Sequence, residues 1–413
     1  MRQAPQPPPL RTFRPKKGLP RSAKTLVERF RGPRIEQKSS TAVLAYSGGD
    51  HLLKGLPTLL LSPNERLSKA QLDQYLLAGY RTIGQQLYTC DFIRTEQDEV
   101  YGCVQVRLPV QDLKLKYKQR RMLRRLGQRF EVKINPVTEV TREMREVNRR
   151  YMNTHPDKSR PDLEFHVGYY PEKRFIDTQQ VEVYDRGKLI AFSFFDAGHR
   201  CMYSKAGIYN TAYQKESLGI YTMLLEIEWA RENGVEYYHP GYVSCSYTMF
   251  NYKLRLGPME YRDPRNGQWI PLPDNDPSFP PDPLELHRDA MLKLAAALRR
   301  VGVRSHIKEY PSFTARFYYP NHGGNLVDAP MVLQLDDGIP AGRLTLVNYD
   351  HFKGGYTLFN PGLSSLTDIK LQPFGPSGVR RYPRPVPVEI IHADNVDLQT
   401  VIDICEIYDG YEV

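Results

Sequence analysis

The 413-residue chain reads as an α+β protein with more than one folded part. Three observations say so. Between Gln179 and Tyr242, antiparallel strand patterns are followed by a strand, a loop, a long helix and another strand. A Pro- and Asp-rich stretch, "PLPDNDPSFPPDPLELH", separates this block from the remainder. Beyond it, one helix precedes several short β-rich runs punctuated by Gly and Pro.

In chain order, residues 1–40 are proline-rich, basic and poor in aliphatics. They cannot bury enough surface to offset their chain entropy, so a flexible arm is expected. Residues 41–135 are expected to form an N-terminal α+β subdomain. Ser68–Gly79 suits a helix with Ser68 as N-cap and Gly79 as stop, and Val100–Val110 alternates as a strand that breaks at Pro109. The segment "KLKYKQRRMLRRLGQRF" follows, in which Lys114, Lys116, Lys118, Arg120, Arg121, Arg124, Arg125 and Arg129 have no acidic residue among them. Surface helices ordinarily mix signs, so a one-sign run points to a polyanion, with a solvated face as the alternative.

Residues 136–272 form the next expected domain. Thr141–Tyr151 is a basic helix. "QQVEVYDRGKLIAFSFFDAG" is a hairpin turning at Asp185–Gly187, and "RCMYSKAGIY" is a third strand. "KESLGIYTMLLEIEWARENG" is a helix: Ser217 can cap it, Leu218, Tyr221, Leu225 and Trp229 recur at three-to-four spacing, and Gly234 ends it. "VEYYHPGY" is the strand after it. This order is that of the acyl-coenzyme-A N-acyltransferase (GNAT) fold, whose loop before the central helix cradles the donor pyrophosphate on glycines and backbone N–H groups. Here that loop, "YQKESLGIY", has only Gly219. A GNAT-like catalytic domain is therefore expected, without the usual coenzyme A cradle. After a linker at 273–283, residues 284–413 should form an extra α+β domain. It has a helix at Leu284–Val301 and strands in "TARFYYP", "PMVLQL", "RLTLVNY" and "PVEII", and no chemistry is legible in it.

The formal net charge of +10 favours a phosphate-rich partner over mere solubility once its clustering is noted. No apolar run approaches membrane-spanning length, and no apolar segment follows Arg2 to make a secretory signal. Cys90, Cys103, Cys201, Cys245 and Cys405 are odd in number and form no CxxC pair, which supports neither a disulfide framework nor a zinc site. A cytoplasmic protein with free thiols, no metal and no cofactor is expected, monomeric by default.

"LLAGYRTIGQQLYTC", "VQVRLPV" and "KQRRMLRR", followed by "GKLIAFSFFDA", "SLGIYTMLLEIEWARENGVEYYHPGY" and "YKLRLGPMEY…W", resemble in order the motifs of the aminoacyl-tRNA–protein transferases. These are the arginyl- and leucyl-transferases of the N-degron pathway. The resemblance runs from about Leu56 to Ile270 and departs from the family pattern at several places. The cysteine cluster is reduced to Cys90 and Cys103, so no metal site carries over. Thr82 replaces the second Arg of an Arg-Arg-Ser run, His239-Pro240-Gly241-Tyr242 replaces Tyr-Leu-Gly-Tyr, Thr248 stands where a lysine is expected, and Asn210 where an aspartate is.

The resemblance implies an aminoacyltransferase that moves an amino acid from aminoacyl-tRNA, its co-substrate, to a protein N-terminus by direct attack of the α-amine on the ester. A coenzyme A-dependent N-acyltransferase and a catalytically silent tRNA-binding relative are the alternatives. Arg81, Arg120, Arg121, Arg124 and Arg125 are candidates for the tRNA backbone. Ser217 and Gly219 mark a helix N-terminus that can face phosphate, with Ser217 a cap rather than a nucleophile. Asp196 either caps a turn or contacts the acceptor's amino terminus. His239 is a general base or a structural histidine. Tyr242 packs in a core, or else donates to the carbonyl or stacks on the terminal adenosine. Lys253 is a solvated lysine or holds phosphate or the ester oxygen. Cys245 has no base beside it in sequence for covalent catalysis.

Overall fold

The computed structural model describes residues 60–61, 65–95, 99–155, 159–314, 325–339, 342–362 and 387–409. The expected basic arm at 1–40, and all but the first residue of "TARFYYP", lie outside them. The first part of the chain runs β1 (Leu60–Leu61), α1 (Lys69–Leu77), β2 (Arg81–Ile83), β3 (Gln86–Tyr88), β4 (Phe92–Arg94), β5 (Val100–Gly102), β6 (Val104–Pro109), α2 (Tyr117–Gly127), β7 (Glu131–Pro136), α3 (Arg142–Thr154) and α4 (Glu164–Val167). It continues with β8 (Thr178–Asp185), β9 (Lys188–Ala197), β10 (Cys201–Tyr209), α5 (Leu218–Glu232), β11 (Tyr237–Val243), β12 (Glu260–Arg262) and β13 (Trp269–Pro271). The second part comprises α6 (Pro283–Arg300), β14 (Ser305–Glu309), β15 (Asn325–Leu326), β16 (Met331–Leu335), β17 (Thr345–Asp350), β18 (Gly355–Pro361), β19 (Pro387–Val396) and α7 (Leu398–Asp409).

The chain is α+β, built on an eight-stranded mixed sheet in the order β13-β12-β6-β11-β10-β9-β8-β7. The β8–β9 hairpin forms because Arg186 and Gly187 both take positive φ, 52° and 75°, the geometry of a two-residue turn whose twist matches its strands. Among the described residues the sheet's one parallel pair is β10–β11, and α5 is the crossover between them. Leu218, Tyr221, Leu224 and Ile227 of α5 pack on Val106, Leu108, Phe195, Met202 and Tyr238 of the sheet. Each such side chain contributes about 1.5–3 kcal/mol through burial.

The structure corrects two expectations. Residues 41–135 are not a separate subdomain, because β6 and β7 belong to the large sheet and β6 lies between β11 and β12. Its pairing partners (Gln105 with Tyr242, Val104 with Val243) are too distant in sequence for any local pattern to join them. The expected strand at Val100–Val110 is two strands, broken at Cys103.

What remains distinct of the N-terminal block is α1 with the small β1-β3-β2 sheet. Ser68 caps α1 in a capping box with Gln71. The buried Asp73 of α1 fastens this unit to the large sheet. Its carboxylate accepts the backbone N–H groups of His199, Arg200 and Cys201 at 3.0, 3.0 and 2.8 Å, thereby satisfying the β9–β10 turn. Gly198 permits the approach, since a Cβ there would lie 2.1 Å from Asp73 Oδ1.

The second part is a six-stranded antiparallel sheet in the order β14-β16-β17-β18-β19-β15. Met291, Leu294 and Leu298 of α6 and Val401 and Ile402 of α7 pack against its Val347 and Leu358. Asp91–His351 at 3.1 Å and Cys245–Asp282 at 2.7 Å tie the two parts together. Among the described residues no helix is long and apolar enough to cross a membrane. Asp73→Ala leaves three N–H groups without their acceptor and should lower stability by about 3 kcal/mol, read as a reduced urea midpoint at unchanged m-value.

Candidate active site

The site is set by where β10 and β11 part. They pair only over Cys201–Tyr203 against Tyr237–His239. Just beyond, β10 shifts register against β9 at Ser204/Ala206, and β11 shifts against β6 between Tyr238 and Gly241. Such irregularities bend strands and re-aim side chains. Gly241 takes φ 107° here, and a Cβ on it would stand 3.1 Å from Lys253 Nζ.

Below this divergence lies Arg81. Its guanidinium is fully buried, and among the described residues none of its three nitrogens has a hydrogen-bond partner. It is sandwiched between the Tyr242 and Tyr88 rings, with centroids at 4.2 and 4.7 Å. This corrects its expected place beside the surface arginines, because the short β2 strand turns the side chain inward. Lys253 lies within electrostatic reach of it. Lys253 too is buried, not the solvated lysine that a basic "NYKLR" turn allows. Nζ donates to the Tyr242 carbonyl at 3.1 Å and sits 5.1 Å from the rings of Tyr242 and Phe250. Burial, then the Arg81 charge, push its pKa down to about 7.

Asp196 is fully buried. It accepts from Thr82 Oγ1 and from Thr178 Oγ1 at 2.6 Å, and pairs with Lys205 Nζ at 3.0 Å. Lys205 also donates to the Gly84 carbonyl at 2.9 Å, and burial holds it below its usual pKa against the pull of Asp196. The carboxylate is thus neither a turn cap nor open to an acceptor amine. It joins β2, β8, β9 and β10 beneath the divergence. Thr82, a departure from the family motif, supplies one of these bonds.

His239 is buried, and neither ring nitrogen has a partner among the described residues. It packs edge-on to Trp269 at 5.4 Å. Burial and then Arg107 push its pKa down to about 3, so it is a weak base, and its packing favours the structural histidine over the general base. Ser217 does not cap α5. It takes φ 55°, ψ 45°, and its hydroxyl makes no cap bond, a conformation that costs a non-glycine residue about 1–3 kcal/mol. A Cβ on Gly219 would meet Tyr209 at an ordinary 3.7 Å, so packing does not demand glycine there. Cys245 donates to Asp282 at 2.7 Å, and burial, then that bond, raise its pKa to about 11, the reverse of an activated thiol.

Arg120, Arg121, Arg124 and Arg125 are exposed on α2. The acid missing from the run itself comes from the turn before α5, where Glu216 pairs with Arg125 and Arg129, each at 2.7 Å. Arg121 and Arg124 have no ion pair among the described residues.

Three features escaped the sequence reading. Lys205 sits in an ordinary strand pattern. Glu226 lies on the buried face of α5, betrayed only by its three-residue spacing from Met223 and four-residue spacing to Ala230. An aromatic ladder leads to Arg81: Tyr101 stacks on Tyr247 at 4.9 Å, Tyr247 meets Phe250 at 5.5 Å, and Phe250 meets Tyr242 at 4.8 Å. The density of tyrosines in "EYYHPGYVSCSYTMFNYK" was its signal, but Tyr101 is remote in sequence.

Residues 139–263 match the family described as "Arginine-tRNA-protein transferase, C terminus". An aspartate/glutamate leucyltransferase of Chromohalobacter salexigens is 26% identical over 232 residues, covering 52% of this chain and 86% of that protein. One from Leptospira interrogans is 24% identical over 222 residues, covering 51% and 82%. Among solved structures, L-PGS from Bacillus licheniformis overlays 46% of this chain and 57% of its own at 14% identity, with a TM-score of 0.27.

Asp196→Ala leaves Lys205 buried without its charge partner. It should cost roughly 3–5 kcal/mol in chemical denaturation, and Asp196→Asn combined with Lys205→Met should recover most of that loss.

Proposed function

We propose, for a chain that belongs to the aminoacyl-tRNA–protein transferase family, that it transfers an amino acid from aminoacyl-tRNA to the N-terminal α-amine of a protein whose first residue is acidic. The observation that carries this is the buried guanidinium of Arg81, unpaired among the described residues, at the divergence of β10 and β11. A buried charge without a partner is costly. One held between two rings with its donors free is ready for a carboxylate, which it can receive on two parallel N–H groups. The relatives' names, aspartate/glutamate leucyltransferase, fit an acidic acceptor. Antiparallel strands, one parallel pair and a crossover helix support a GNAT-like description of the sheet.

The donor ester is already activated. The site must hold it against a neutral amine and stabilise the oxyanion that forms when the nitrogen attacks. Lys253, buried beside Gly241 of β11, donates in this reading to that oxyanion or to the departing ribose oxygen. The ladder Tyr101–Tyr247–Phe250–Tyr242 offers π faces to the single-stranded RNA end. The exposed arginines of α2 and the N-terminus of α5 at Ser217 and Gly219 meet its phosphates.

Purified protein should move radiolabelled amino acid from one or more charged tRNAs onto peptides with N-terminal Asp or Glu. Salt-sensitive tRNA binding with no transfer to any peptide would overturn the enzymatic assignment in favour of a silent relative. Arg81→Met removes an unpaired buried charge, so it should fold at least as well as wild type while losing ~30-fold or more in kcat/KM for acidic acceptors. Arg121→Ala combined with Arg124→Ala should weaken tRNA binding and lower the slope of log K against log salt by about 2 if each meets one phosphate.

A further inference from the structure

Glu226 projects from the third turn of α5 and is fully buried. Its Oε2 accepts the Tyr238 hydroxyl at 2.7 Å, and Oε1 has no partner among the described residues. The hydroxyls of Ser193 on β9 and Ser204 on β10 lie beside it. Ser204 is the first β10 residue beyond the pairing with β11, and the β10 register breaks there. The carboxylate therefore stands at the vertex of the divergence, on the α5 side of the sheet, opposite Arg81. Burial raises its pKa to about 7, against the opposing pull of the nearby Ser193, Tyr238 and Ser204 hydroxyls. The titratable groups facing it are the phenols of Tyr238 from β11 and Tyr252 from the turn after it, both raised chiefly by burial and further by its charge. Among the described residues no cation pairs with it. Tyr252 is 43% exposed, and Glu226 acts on it through its charge.

Resting on the transfer reaction proposed above, we infer that Glu226 is the proton acceptor for the incoming α-ammonium group. One ammonium proton passes to the carboxylate, freeing the nitrogen lone pair. The C–N bond forms, the C–O bond to the ribose breaks, and a second nitrogen proton ends on the ribose oxygen. The proton left on Glu226 returns to water after product release. The arrangement suits a protein amine, whose ordinary pKa of about 8 keeps it mostly protonated at neutral pH. A carboxylate poised near 7 in its folded site is ionised above that pH and is well matched to accept from it.

The test compares wild type with Glu226→Gln, which keeps an acceptor for Tyr238. Two nucleophiles are used with the same charged tRNA: an acidic peptide, and hydroxylamine, which is already neutral at pH 7. For Glu226→Gln, peptide transfer should fall about 100-fold at pH 7, enzyme-dependent discharge by hydroxylamine should stay within about threefold, and the acidic limb of the peptide profile should move from about 7 toward the amine's own value, near 8. A common loss with both nucleophiles makes Glu226 a structural clamp and overturns the inference, as does unchanged peptide transfer with an unmoved limb. A wild-type chain that transfers nothing to either nucleophile overturns the transferase function itself, and this inference with it.

Discussion

A guanidinium with no hydrogen-bond partner among the described residues, buried between two tyrosine rings, is the constraint around which the rest of this structure is arranged. Arginine cannot shed its charge as a buried lysine can. The fold must therefore either accept the desolvation or supply a partner from outside. The tyrosine faces of Tyr88 and Tyr242 offset part of the loss, and the ring that covers Arg81 on one side belongs to β11, the strand that leaves β10. Binding and geometry are thus coupled: the residue awaiting an anion is held by the strand whose departure opens the site. Destabilised groups of this kind persist where function requires them.

The surroundings keep that arrangement fixed. Asp73 anchors α1 to the β9–β10 turn through three backbone N–H groups. Asp196 and Lys205 tie the strand carrying Arg81 to β8, β9 and β10. Both devices use buried charge, which is weak as a source of net stability but strict about geometry. On the opposite face of the sheet, Glu226 bonds Tyr238 just before β11 departs. The divergence is therefore flanked by a cation unpaired among the described residues on one face and a buried carboxylate on the other, with the buried Lys253 on the Arg81 side. That is a suitable setting for a reaction that consumes one proton position and frees another.

Much of this was legible from local pattern. The hairpin announced itself through Asp-Arg-Gly between two alternating runs, and α5 through its spacing and Gly234, because turn chemistry and helical period are local properties. The strand order was not legible: β6 enters the sheet between strands that follow it by well over a hundred residues, and pairing at that range leaves no trace in a single sequence. Arg81 read as a surface contact by residue type, its burial coming from residues outside its own strand, Tyr88 and Tyr242 among them. His239 looked like a base by residue type, yet burial leaves its ring packed and weakly basic. Glu226 was lost among the other acids of its helix, since Glu226 and Glu228 differ only in which face they occupy.

The most direct test of the account is a structure of the protein with a non-hydrolysable aminoacyl-adenosine amide and an acidic dipeptide. The dipeptide side chain should lie on Arg81, with its amine toward Glu226 and the amide carbonyl within reach of Lys253, all between β10 and β11. A dipeptide bound elsewhere, with Arg81 still unpaired between Tyr88 and Tyr242, would contradict it.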